Sequence, residues 1–177
     1  MPGMVRPNPT AVLALEDGSV FRGRSVGAEG RRAFELVFNT SMTGYQEILT
    51  DPSYCGQGVV MTCPQIGNYG CNPLFDESAR CWAEAFIMRQ LTPRTSSWQS
   101  TEPLDAYLRR HGVVAMDGVD TRELTLKLRE QGALRGVIST QGEPEAELIA
   151  AARAQTSRTT SPDSHSFADS SSSLVTP

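Results

Sequence analysis

The dipeptide Asp17-Gly18 stands between two apolar runs, AVLAL (11–15) and SVFRGRSV (19–26). Asp-Gly tolerates the backbone angles that a tight hairpin turn demands, and the second run alternates as a half-buried strand does. The spacing predicts a β-hairpin over 11–26, which commits the chain to a sheet from its start. AFELVFNT (33–40) alternates through Phe34, Leu36 and Phe38 and predicts another strand. GVVMTC (58–63) predicts a further one, ended by Pro64, which cannot donate to a ladder.

Beyond residue 64 the character changes. PQIGNYGCNPLF (64–75) is rich in glycine and asparagine and reads as an ordered loop, while WAEAFIM (82–88) reads as a strand. Thr101 is placed to cap a helix over 102–111, with Leu104, Tyr107 and Leu108 on one face and Gly112 as its stop. VVAM (113–116) is a short strand. Asp120 and Glu123 then form a capping pattern for a helix through RELTLKLREQ, ended by Gly132. LRGVIS (134–139) is the last strand, and Pro144 opens an alanine-rich final helix. Strands first, then β-α-β-α units, predict an α/β (α+β) class of fold in one domain over 11–154. Residues 1–10 form an N-terminal extension. Of the 23 residues 155–177, 12 are Ser or Thr, which predicts a disordered tail.

The 177 residues carry a formal net charge of −4 and no Lys/Arg block, so nucleic acid is not an expected partner. No apolar run is long enough to cross a membrane, and MPGMVRPNPT lacks the apolar core of a signal peptide. The expected location is the cytoplasm. There the four cysteines, at 55, 63, 71 and 81, stay reduced; their spacing fits no metal motif, so no metal site is expected. Neither His111 nor His165 is placed to activate a thiol. GRSVGAEG (23–30) lacks the Lys-Ser/Thr of a phosphate loop, and no cysteine sits in a nucleophile elbow.

What remains is polar and follows strands. NTSMTGYQEILTDPSY (39–54) holds Asn39, Thr40, Ser41, Thr43, Gly44, Tyr45 and Gln46, and the second run holds Gly67 and Asn68. Polar loops at strand ends are where binding sites gather, so both runs read as loop-built recognition surface. Arg122 opposes the dipole of its helix unless an acid offsets it, which marks it as a further contact candidate.

Four stretches, LEDGSVFRGRSVGAEG, FNTSMTGYQEILTDPSY, IGNYGCN and GVDTRELTLKLREQGALRGVIS, resemble in order and spacing the N-terminal domain of the carbamoyl phosphate synthase small subunit family. The resemblance covers about 11–154. It implies a swivelling β/β/α-type domain that packs against a glutamine amidotransferase domain and against the large subunit. The complete enzyme makes carbamoyl phosphate from glutamine, bicarbonate and ATP for pyrimidine and arginine synthesis. ATP and magnesium belong to the large subunit, and no cofactor is expected on this chain. The serine of the Asp-Pro-Ser-Tyr run contributes to the family's glutamine site, which here is Ser53.

This sequence departs from the family pattern in two places. No amidotransferase stretch, with its Cys-His-Glu triad, follows residue 155, so the chain alone is expected to be catalytically silent. The family's Tyr-Pro-His ahead of Ile-Gly-Asn is Cys63-Pro64-Gln65 here. The resemblance leaves three readings open. The chain is the interface-forming domain of the enzyme complex, a non-catalytic module that docks on the large subunit, or a non-functional fragment of a truncated or frame-altered product.

Overall fold

The computed structural model describes residues 10–155; residues 1–9 of the N-terminal extension and nearly all of the Ser/Thr-rich tail lie outside them, and Thr10 belongs to the first strand. Seven strands form a closed barrel in the order β1-β2-β6-β5-β4-β3-β7. They are β1 (Thr10–Leu15), β2 (Val20–Ser25), β3 (Arg31–Asn39), β4 (Gln57–Met61), β5 (Ala85–Ile87), β6 (Val114–Asp117) and β7 (Leu134–Ser139). Four helices cover it: α1 (Tyr45–Thr50), α2 (Leu104–Arg110), α3 (Thr121–Gln131) and α4 (Glu145–Ala154). The expected α+β class is what the chain adopts. The hairpin forms as its turn predicts, with Gly18 at φ 94° and the Asp17 carboxylate accepting from the Ser19 amide at 2.9 Å.

Strands β3, β4, β5 and β6 run parallel to one another; the other pairs are antiparallel. Parallel neighbours need crossovers, and helices or long loops supply them here. Every strand contributes to one apolar cluster, including Leu13, Phe21, Phe34, Val60, Ile87, Met116 and Ile138, which makes it the barrel interior. Helix α3 adds Leu124 and Leu128 to it. The alternate residues Val59, Phe86 and Ala115 face outward and are buried by α1, α2 and the 62–84 loop. Helix α4 packs Leu148 and Ala152 on Ala14 and Val137, over the seam between β1 and β7.

The structure corrects two local expectations. Helix α2 begins after Pro103, not Thr101. Residues 101 and 102 are held elsewhere: Glu102 bridges Cys71, and the Thr101 hydroxyl donates to the Cys71 carbonyl at 3.0 Å. The strand expected over 82–88 shrinks to Ala85–Ile87, because Trp82 and Ala83 donate their amides to the Leu49 carbonyl at the end of α1.

Phe34 sets the girth of the barrel. In β3 it lies opposite Gly136 of β7, and a methyl group built on Gly58 of β4 would meet its ring at 2.4 Å. The ring occupies the space that two side chains leave vacant. Gly58→Ala is expected to destabilise the fold by about 1–3 kcal/mol through overpacking, read as a lower urea midpoint at unchanged m-value.

Candidate functional site

The run 39–54 is not a loop. Gly44, at φ 80°, turns the chain into α1, which buries Tyr45, Ile48 and Leu49 at i, i+3 and i+4. Three of its polar side chains, Tyr45, Gln46 and Thr50, are spent inside the protein. The Tyr45 hydroxyl donates to the Gly70 carbonyl at 2.7 Å, and its ring stacks on Tyr69 at 4.3 Å. The Tyr69 hydroxyl accepts from the Gly44 amide at 2.6 Å.

Gln46 is fully buried and works as a spare piece of backbone. Its Oε1 accepts from the Asn72 amide at 2.9 Å, and its Nε2 donates to the Asn72 carbonyl at 2.7 Å. The same Nε2 donates to Asp76 at 2.6 Å, and that carboxylate also accepts from the Tyr107 hydroxyl at 2.5 Å. Tyr45, Gln46 and Gly67, expected on a recognition surface, are buried and act as bracing. The missed signal is the helical spacing of Tyr45, Ile48 and Leu49, hidden among turn-forming residues.

The exposed members of the expected set are Thr40, Ser41, Thr43, Ser53, Asn68 and Arg122. Ser53 sits on a 3-10 turn, Pro52–Tyr54, where the Asp51 carboxylate accepts from the Ser53 amide at 2.8 Å. Asn39, half-buried, ties this turn to the end of β3 by donating to the Tyr54 hydroxyl at 2.9 Å. Ser53 is therefore offered to solvent from a short, pinned turn.

A second feature was not legible in the sequence. The carboxyl ends of parallel strands open a crevice in α/β sheets, and here β3, β4, β5 and β6 end together. Two adjoining hollows of about 440 and 470 Å³ lie there. Arg24, Gln90 and Asp120 line the first; Thr40, Thr62, Arg122 and Arg129 line the second; Arg89 belongs to both. Thr40 and Arg122, expected separately as contact residues, thus share one groove. Arg24 is held by the fully buried carboxylate of Asp117, through Nε at 2.9 Å and Nη2 at 2.6 Å, and this pairing pushes the guanidinium pKa up.

Two of the four thiols, Cys71 and Cys81, are held in the protonated form. Burial pushes Cys81 up to about 11 and drives Cys71 higher still. Burial, aided by Arg110, holds His111 below the usual imidazole range. No group of three potential metal ligands occurs among the described residues.

A family model described as carbamoyl-phosphate synthase small chain, CPSase domain, matches residues 13–138. The chain belongs to that family. The matched stretch runs from β1 to β7, so the small-chain domain is the barrel itself. The carbamoyl phosphate synthase small chain of Aquifex aeolicus (strain VF5) is 54% identical over 144 residues, covering 81% of this chain and 39% of that protein. That of Chlorobaculum tepidum is 53% identical with the same coverage. The chloroplastic small chain of Oryza sativa subsp. japonica is 52% identical over 81% of this chain and 32% of its own length. The chain thus spans about two fifths or less of the length of these relatives. A solved aminopeptidase from Aneurinibacillus sp. strain AM-1 overlaps only loosely, with a TM-score of 0.42 and 16% identity over 77% of this chain and 31% of that one.

In this small-chain domain Gln46 joins α1 to the loop after β4. Gln46→Ala removes the partner of the half-buried Asn72 amide, while the Asn72 carbonyl keeps its bond from the Phe75 amide at 2.9 Å, so one group is left unsatisfied at a cost of about 1–3 kcal/mol. Equilibrium unfolding is expected to show a loss of about 1–3 kcal/mol, with Asn72 among the amides that lose hydrogen-exchange protection.

Proposed function

We propose that this chain serves as the N-terminal domain of a carbamoyl phosphate synthase small subunit, docking on the large subunit in the cytoplasm. The complex makes carbamoyl phosphate from glutamine, bicarbonate and ATP for pyrimidine and arginine synthesis, with ATP and magnesium on the large subunit. The observation that carries the docking role is the exposure of Trp98 at 91% and Leu74 at 86%. Their segments are tied together, because the Asn72 side chain donates to the Gln99 carbonyl at 2.8 Å. Large side chains held in water on a braced surface fit a face that another protein covers.

The test is co-purification with a large subunit, using the wild-type chain and the Leu74→Glu/Trp98→Glu variant. Capture of the first and loss of the second supports the reading; failure of the wild type to bind overturns it. In this reading the chain releases no ammonia from glutamine on its own, since no cysteine hydrogen-bonds a histidine among the described residues. Release above a blank counts against that.

Ser53 is the residue this domain offers to L-glutamine. Its hydroxyl can donate to a carboxylate or accept from an ammonium group. With the domain in a full-length small subunit, Ser53→Ala is expected to lower glutamine-dependent synthesis severalfold and to spare ammonia-dependent synthesis. Equal loss of both removes Ser53 from the glutamine site.

A further inference from the structure

The groove at the carboxyl ends of β3 and β4 is walled by one stripe of α3. Arg122, Thr125, Leu126 and Arg129 stand at i, i+3, i+4 and i+7, and all four line it. Thr40, Thr62 and Arg89 form the facing side. Leu126 is 47% exposed, an apolar side chain between two guanidinium groups. Among the described residues neither Arg122 nor Arg129 has a carboxylate within 4.0 Å. Arg89 has only a loose pairing with Asp120, at 3.9 Å. Positive charge is thus concentrated in one groove of a chain whose net charge is −4.

Two details select what fits. The helix terminus is already satisfied: the Asp120 carboxylate accepts from the Arg122 and Glu123 amides, both at 3.1 Å. A small anion therefore finds no free helix-end amides there and must be held by side chains alone. Two turns of helix set the backbones of Arg122 and Arg129 about 10 Å apart along the axis with Leu126 between them, a spacing that suits two anionic groups carried on one ligand. Carboxylates three residues apart on an extended, polyproline-type segment stand about 9 Å apart on one face, with room for an apolar side chain between them.

We propose that this groove binds an extended acidic peptide segment of a partner protein, two carboxylates engaging Arg122 and Arg129 and an intervening apolar side chain resting on Leu126. Arg89 and the threonine hydroxyls of Thr40 and Thr62 provide further donors to the segment. Neither Leu74 nor Trp98 takes part, so the proposal stands apart from the large-subunit test.

The experiment is NMR titration of the ¹⁵N-labelled full chain with a capped, proline-rich hexapeptide bearing two glutamates three residues apart and a leucine between them. Saturable shifts at the Thr40, Thr62, Arg89 and Thr125 amides, absent with the glutamine version of the peptide and screened by salt, are the expected result. Arg122→Glu/Arg129→Glu, at exposed positions that leave spectral dispersion intact, is expected to weaken binding about tenfold or more. Leu126→Ala is expected to weaken it less. Three outcomes overturn the proposal. One is no groove shift at millimolar peptide. Another is undiminished binding by the double variant. The third is a stronger response of the same amides to inorganic pyrophosphate or to a short single-stranded oligonucleotide, which assigns the groove to a small anion or to nucleic acid.

Discussion

A carboxylate without access to water has to be neutralised by its neighbours, and Asp117 is such a group. At 0% exposure it accepts two bonds from Arg24 and a third from the Leu91 amide at 3.1 Å. Three pieces of chain meet at this point: β2, β6 and the segment leaving β5. The β2–β6 seam has only two register pairs, Arg24↔Asp117 and Ser25↔Met116, against five between β3 and β4. Closure of the barrel on that side rests on the ion pair as much as on the ladder. The same pair fixes where the chain goes after β5, and hence where Arg89 stands at the carboxyl edge.

The parallel strands are buried on both faces, which explains how a short chain sustains both a barrel and an outer layer. Val60, Ile87 and Met116 point inward while Val59, Phe86 and Ala115 point outward, and both sets are covered. The outer cover is mostly irregular backbone, whose polar groups cannot all pair with one another. Gln46, Asn72, Thr50 and Tyr45 solve this by bonding to main-chain groups. The Thr50 hydroxyl accepts from the Glu77 amide at 2.9 Å, and the Ser78 hydroxyl donates to the Thr50 carbonyl at 2.6 Å. Much of the hydrogen-bonding capacity of residues 39–54 serves this purpose, which leaves only their exposed members for recognition.

Elements governed by local rules were legible in the sequence. The Asp17-Gly18 turn forms as its chemistry dictates, and Asp120 caps α3 with Gly132 at its end. Strand β7 occupies the residues its apolar pattern marks. Elements decided by distant partners were not. Thr101 is a good capping residue, yet its hydroxyl is taken by Cys71, thirty positions away. Gln46 looks like a surface amide until the loop beyond β4 folds onto it. Barrel closure left no trace in periodicity, since nothing local says that β1 meets β7. The basic groove was illegible for the same reason: Arg24, Arg89, Arg122 and Arg129 are scattered along the chain, and only parallel strands ending together collect them.

The far end of α4 is fastened to the barrel with some care. Arg153 donates to the Glu16 carbonyl at 2.8 Å, Gln155 donates to the Gly136 carbonyl at 2.9 Å, and Arg135 donates to the Gln155 carbonyl. These attachments straddle the β1–β7 seam, where Arg135 also pairs with Glu16. Gln155 is consequently a fixed post and not a frayed helix end. A load applied at Gln155 would therefore be carried by α4 and its hydrogen bonds into the seam between β1 and β7, on which the helix packs.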